Sequence, residues 1–366
     1  MNPSPLQRVV SQAIVVAVGL WSVLVLVECS AAQSDTSAVA NLIVYINGDV
    51  SFKRQGWTNY EPIVFGTNLV GGDLLRVAPS AAAKLVCADL TLHEVIAGTS
   101  GVPCNVTQPV LRLSEGSWIN PTRNTPVEGS FPVVLSPRKT KLLSNPQKLR
   151  WTPVKGADAY EVIVRAPDFE WKYRTAATEV AYPASAPRLH PGVDYKLIVS
   201  FKNKSSNEEG GQGMGFSLVT DGERKVVEKQ VAQVTGLKLP NDVTAFLTAY
   251  IYAAHELNAE AIEKLESIRG SFRVSAVSRM LGNLYLTIGL PRQAETAFLE
   301  SLKLSEAEKY EQGEIDAHSA LADIYQGAFG NNREARQHLD AMLELARKLG
   351  DQKAEEESKK KLAKLE

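Results

Sequence analysis

The sequence is poor in the residues that build metal centres and active sites. It has five histidines and three cysteines, and no His-x-x-x-His or His-Glu-x-x-His pair occurs. A zinc site of the usual helical spacing is therefore excluded. No Gly-x-Ser-x-Gly elbow and no Gly-x-x-x-x-Gly-Lys-Ser/Thr loop is present, which removes the common nucleophile and phosphate motifs. Excess charge is lacking too. Forty Lys and Arg against 41 Asp and Glu leave a net charge of -1, so no global field draws nucleic acid or an anionic surface. Basic residues do not interleave with aromatics as in nucleic-acid binders. Lys359-Lys360-Lys361 reads as the solvated face of a terminal helix. His255, His318 and His338 are expected as surface or half-buried side chains, and His93 and His190 stand alone. These absences predict a protein that is not an enzyme, with no metal, no cofactor and no nucleic-acid partner.

The 366 residues leave room for two or three domains, and 44% hydrophobic with 22% charged residues is a globular composition. Residues 1–32 read as an export signal: Arg8, an apolar run from Ala13 to Val27, then Ser30-Ala31-Ala32 as a cleavage site. An uncleaved membrane anchor over residues 9–27 and a lipid-modified Cys29 are the alternatives. In each case the remaining chain is expected outside the cytoplasm, in the periplasm or at the outer face of the inner membrane. An oxidising compartment then favours a disulfide between Cys87 and Cys104, across a segment that turns at Gly98, Gly101 and Pro103.

Three periodicities follow one another, and they predict a multidomain chain. Residues 40–120 read as an all-β region of short strands. Leu42-Ile43-Val44-Tyr45-Ile46 is a β-branched run, and Gly48-Asp49 and Gly71-Gly72-Asp73 are turns. Gly48-Asp49-Val50, Gly66, Leu69, Gly72-Asp73-Leu74-Leu75 and the strand ending at Cys87 resemble the FecR-type domain of bacterial envelope proteins.

Residues 128–222 alternate as a second β region. Trp151 is expected in the core, Tyr160, Val162 and Val164 on one face, and Tyr195 after Leu189-His190-Pro191-Gly192 as a tyrosine corner. This combination resembles a fibronectin type III β-sandwich.

From Pro240-Asn241-Asp242 onward the period is helical. Ala249, Tyr252, Ala261 and Leu265 recur as Gly282, Tyr285, Ala294 and Phe298, and again, with one residue inserted, as Ala322, Tyr325, Ala335 and Leu339. Gly289 is expected to end one helix and Pro291 to open the next. Small residues let paired helices approach, and large ones fill the space between neighbouring hairpins. The pattern over residues 236–366 resembles tetratricopeptide (TPR) repeats, an all-α superhelix, with a capping helix from Gln352. Such hairpins are expected to pack on one another and to need little from the β domains.

That resemblance implies a concave groove formed by the first helix of each hairpin. Its free positions are then Phe246, Tyr250, Arg279, Asn283, Ser319, Asp323 and Gln326. The expected function is a non-catalytic scaffold that binds a protein or peptide of the cell envelope in this groove. FecR-type signalling is a second reading, set against the roughly dozen residues that precede the apolar run. Binding of an envelope polymer through Trp57, Tyr60, Trp118 and Trp171 is a third.

Overall fold

The run Leu42-Ile43-Val44 is continuously apolar because its strand is covered on both sides. In the computed structural model, which describes residues 38–113, 130–209 and 214–365, strand Asn41–Asn47 shifts register between Ile43 and Tyr45 against Ala82–Val86. Ile43 then points between two sheets, while Leu42 and Val44 point at the helices. The expected export segment, Cys29 and Trp118 lie outside the described residues.

The first β region contains two four-stranded antiparallel sheets. One runs Asn68–Leu69, Asn41–Asn47, Ala82–Val86, Leu92–Val95, and the other Glu61–Pro62, Val50–Lys53, Leu74–Val77, Gly98–Gly101. The turn glycines Gly48 and Gly72 have φ of +82° and +94°, where a side chain is disfavoured. Cys87 and Cys104 form a disulfide across 17 positions. Loop-entropy models assign such a link about 3 kcal/mol. Reduction is therefore expected to lower stability against urea by roughly 2–3 kcal/mol. Thiol counting in denaturant checks the pair itself; two titratable thiols from Cys87 and Cys104 would contradict it.

The second β region places Val134–Ser136, Leu149–Trp151 and Glu179–Val180 in one sheet and Phe169–Thr175, Tyr160–Ala166, Lys196–Phe201 and Lys204–Ser205 in another. Trp151, Tyr160, Val162, Val164, Leu197 and Val199 fill the space between. The Tyr195 hydroxyl accepts the His190 N–H at 2.8 Å, the bond that a tyrosine corner makes.

Among the described residues eight α-helices follow: α1 Asp221–Gly236, α2 Asn241–Ala254, α3 Asn258–Arg269, α4 Ser275–Thr287, α5 Pro291–Glu308, α6 Glu311–Asp323, α7 Asn332–Leu349 and α8 Gln352–Leu362. Helix α1 precedes the helical periodicity that begins at Pro240. Its signal is Thr220-x-x-Glu223, a capping box in which Thr220 and Glu223 satisfy each other's backbone N–H groups. Helices α2/α3, α4/α5 and α6/α7 are antiparallel hairpins, and α8 packs on α7.

The hairpins do not stand apart from the β regions. One apolar cluster joins Leu42, Val44, Val86, Leu90 and Leu111 to Phe246, Leu247, Tyr250, Leu281 and Leu284. A second joins Phe52, Trp57, Leu75 and Leu85 to Tyr310, Ile315, Leu339 and Met342. Ser37–Glu366 is consequently one contact unit, and the expected independence of the helical part is corrected. Strand faces that sequence alternation marks as apolar are buried against helices as well as against strands.

Candidate functional site

The repeated small and large residues meet across each hairpin. Ala249, Ala261, Leu265, Gly282, Ala294, Phe298, Ala322, Ala335 and Leu339 are buried. Gly282 faces the Phe298 ring, and an added Cβ would sit 2.7 Å from it. The tyrosines link neighbouring hairpins: Tyr285 donates to Glu266 of α3 at 2.6 Å, and Tyr325 donates to Glu295 of α5 at 2.8 Å. Tyr252 is half-buried against the same cluster. The inserted residue of the third set falls in a π-helical turn over Ile324–Ala328, continuous with α6, where Phe329 N–H reaches back five residues to Ile324. A π turn absorbs one extra residue without moving the following helix out of register. Gly282→Leu is expected to cost roughly 1–3 kcal/mol, because the enclosed Phe298 ring must move. A circular-dichroism melt that matches the parent would contradict this packing.

The inner surface of the hairpins holds a loop of the first β region, residues 58–67, which includes the short edge strand Glu61–Pro62. Phe65 enters between Phe246 and Phe272, with ring centroids 5.1 and 4.8 Å apart. Behind Phe246 stands Tyr250, edge-on at 5.2 Å. Arg279 donates to the Gly66 carbonyl at 3.2 Å and lies 3.7 Å from Asp316. The loop also completes helix ends, whose backbone groups otherwise lack partners. Glu61 accepts the Gln312 N–H at 2.8 Å in the first turn of α6. Thr58 and Asn59 donate to the carbonyls of Leu349 and Lys348 at the end of α7, at 3.3 and 3.2 Å. Burial pushes the Glu61 carboxyl up to about 8, with Glu311 and Asp316 adding to the rise.

The seven groove positions therefore divide. Phe246, Tyr250 and Arg279 lie beneath the chain's own loop, so their expected freedom to touch a peptide is corrected: helical spacing marks them as outside the hairpin interior, but the β region covers them. Ser319 and Asp323 receive Lys361 of α8, at 3.0 and 2.9 Å. Asn283 and Gln326 are half-exposed.

A second joint forms where residues 138–143 cross the first two hairpins. Arg138, almost fully enclosed, donates to the carbonyls of Ile288 and Gly289 beyond α4, at 2.6 and 3.2 Å. Asn258 donates to the Lys139 carbonyl at 2.7 Å, and the Thr140 hydroxyl accepts the Ala259 N–H at 3.1 Å. Beside this strap opens a cleft of about 250 Å³, lined by Leu135, Lys148, Glu260, Glu263, Tyr285 and Gln293 among others. Glu260 accepts the Leu143 N–H at 2.8 Å, and burial pushes its carboxyl up to about 7. Glu263 pairs with Lys148 at 3.1 Å, and Glu266 with Arg150 at 3.4 Å. The cleft combines apolar walls with a few convergent polar groups, the usual makeup of a binding site.

No protein-family model matches the chain, and no curated protein matches it. Among solved structures, the helical part is similar to TPR-like repeats of a putative kinesin light chain from Podosopora anserina. Identity is 19% over 38% of this chain and 74% of that one, with a TM-score of 0.32. A MamA protein is similar at 15% identity over 39% of this chain and 82% of that one, with a TM-score of 0.29. The repeat packing described above rests on the contacts within this chain.

The hairpin register also produces a pair that one-dimensional spacing hides. His318 on α6 and His338 on α7 face each other with their Nδ1 atoms 2.8 Å apart, and Tyr325 stacks on His338. Burial lowers both imidazoles, His318 to about 4 with His338 adding to the fall. His255 instead bonds Gln230 at 2.7 Å. Among the described residues no group of three or more His, Cys, Asp or Glu is arranged to hold a metal, and no helix is long and apolar enough to cross a membrane. Of the aromatics considered for polymer stacking, Trp57 is buried beside Phe52, and Tyr60 lies under Arg76 at 3.8 Å. Trp171 is half-exposed.

Proposed function

We propose that the chain is a non-catalytic, exported scaffold that binds a protein of the cell envelope, assembled from a FecR-like module, a fibronectin type III-like module and TPR-type hairpins. The observation that carries this reading is the seated loop. The inner helical surface holds extended polypeptide through an inserted aromatic, a carbonyl on Arg279 and a carboxylate on a helix N-terminus, the groups that peptide recognition uses. Export is supported by the Cys87–Cys104 disulfide, a bond at home in an oxidising compartment. The tyrosine corner at Tyr195 supports the fibronectin-like reading, and the tight turns at Gly48 and Gly72 support the FecR-like one.

With the inner surface occupied by residues 58–67, the partner is expected at the cleft beside the strap. A photo-crosslinking residue at Gln293 of the full exported chain tests this, with one at Asn283 as comparison. Protein adducts from position 293 are expected. Adducts from Asn283 alone would return the partner to the groove, and adducts from neither would overturn the scaffold reading.

A further inference from the structure

The second β region leaves one long strand edge open. Phe169–Thr175 is the outer strand of its sheet and, among the described residues, pairs only with Tyr160–Ala166. That pairing runs its full length without a shift of register, and the strand holds neither proline nor glycine. It has seven residues, whereas the far edge of its own sheet and the outer strands of the other four-stranded sheets have two to four. A long, regular edge presents backbone N–H and C=O groups as a template for another strand.

The side chains of this strand sort by face. Phe169, Trp171 and Tyr173 lie on the side of the core, and Glu170, Lys172 and Arg174 on the outer side. Trp171 stacks on Tyr173 with planes 5° apart and meets the buried Tyr182 edge-on at 4.9 Å. Tyr173 itself is 44% exposed, an aromatic left uncovered at the rim of the core. On the outer side Glu170 is held by Arg165 and Lys172, at 2.8 Å from each. Arg174 forms no ion pair among the described residues. Charges of one sign along an edge keep copies apart, but these run from negative at Glu170 to positive at Arg174. An antiparallel copy of the strand reverses that order and so complements it.

We propose that a second copy of the chain pairs with this edge, antiparallel and in register about Lys172, joining the two sheets across a two-fold axis. On the outer side Glu170 then faces Arg174 of the second copy, and Arg174 faces its Glu170. On the core side Trp171 faces Tyr173 of the second copy, which covers the exposed ring. Opposite charges and aromatic pairs directly across an antiparallel ladder stabilise it. The one unfavourable pair is Lys172 against its own copy at the axis, and each Lys172 is held by Glu170 of its own strand. Centring the pair on Trp171 instead leaves Arg174 and Thr175 outside it and gives Glu170 a Lys172 of the kind it already holds. Pairing uses up the edge of both copies, so association closes at a dimer. The contact is one strand wide, smaller than a standard interface of roughly 1,600 Å², and a dissociation constant of about 10–100 µM is expected. None of these residues lines the cleft at Gln293, so the dimer and the partner site can fail separately.

Sedimentation equilibrium of the full exported chain tests the pairing. Arg174→Glu is expected to weaken the dimer at least about tenfold, because two attractive pairs become repulsive. Glu170→Lys is expected to do the same. Mixing the two variants is expected to restore association as a heterodimer, since each altered side chain then meets its opposite charge across the axis. Lys172→Thr is expected to tighten the parent dimer about threefold by removing the like-charge pair. Circular dichroism identifies folded variants, and Lys172→Cys serves if Glu170→Lys does not fold. Opposite Cα atoms of an antiparallel pair lie about 4.5–5.5 Å apart, within reach of a disulfide, so oxidation is expected to join position 172 to itself. A parent still monomeric at about 300 µM, well above the expected constant, would overturn the proposal. So would a dimer indifferent to Arg174→Glu, a mixture no more associated than its two components, or open-ended oligomers in place of dimers.

Discussion

Replacing Glu61 by glutamine is expected to stabilise the protein at pH 8 and to leave its stability unchanged at pH 4. The carboxyl is 2% exposed. Its Oε1 accepts the Gln312 N–H, while Oε2 has no hydrogen-bond partner among the described residues. Burial raises its pKa from 4.5 to about 8. Below pH 4.5 the group is protonated in both folded and unfolded chains. As pH rises from 4.5 toward 8 the unfolded chain releases the proton and the folded one keeps it, so stability falls across that window. Glutamine retains the acceptor for Gln312 and removes the titration. The gap in pKa corresponds to roughly 5 kcal/mol at most. About 2–4 kcal/mol is the expected gain at pH 8, since the new amide must also find a partner. Urea unfolding of both proteins at pH 4 and pH 8 measures it. A difference between parent and variant that does not change with pH would contradict the buried, loop-held carboxyl.

Gly66→Ala is expected to destabilise the protein by roughly 2–4 kcal/mol, and Ala276→Gly to recover part of that loss in the double variant. Gly66 has a φ of +75°, and its missing Cβ would lie 2.3 Å from Ala276 Cβ and 3.5 Å from the Phe246 ring. Left-handed backbone costs an alanine about 1–2 kcal/mol, and the clash adds the cost of pushing the loop off α4. Ala276→Gly alone is expected to cost about 1 kcal/mol, as helix glycines do. It removes the atom that Gly66→Ala strikes, so its sign reverses in the Gly66→Ala background. That reversal is a coupling energy only touching residues show. Additive melting shifts would place Gly66 and Ala276 apart.

The helical hairpins were legible because their packing is written in local spacing. Gly289 and Pro291 mark the bend between α4 and α5, and Gly282 announces a close neighbour, Phe298. Tyr195 after Pro191-Gly192 was legible for the same reason, its partner His190 being five positions away. What covers a face is not local. Phe246 and Tyr250 stand at positions that helical spacing leaves outside the hairpin, yet both are aromatic. Large apolar groups at a supposedly open surface were the available sign of a covering element. Nothing in the pattern of residues 58–67 says that Phe65 is that element, because the contact joins positions 181 apart, from Phe65 to Phe246. The pairing of His318 with His338 escaped similarly, since it depends on how α6 and α7 align across a π turn.

That the chain's own loop fills the inner surface of the helical hairpins follows from the contacts of Phe65, Gly66 and Glu61. It is tested most directly by a photo-crosslinking residue at position 59 of the full chain, with adducts mapped by mass spectrometry. Asn59 reaches the Lys348 carbonyl at 3.2 Å, and Gly350 lies against Thr58. The predicted result is an intramolecular link to residues 345–351, formed in dilute protein and lost in denaturant. A position 59 that crosslinks only to other molecules, or not at all in folded protein, would contradict it.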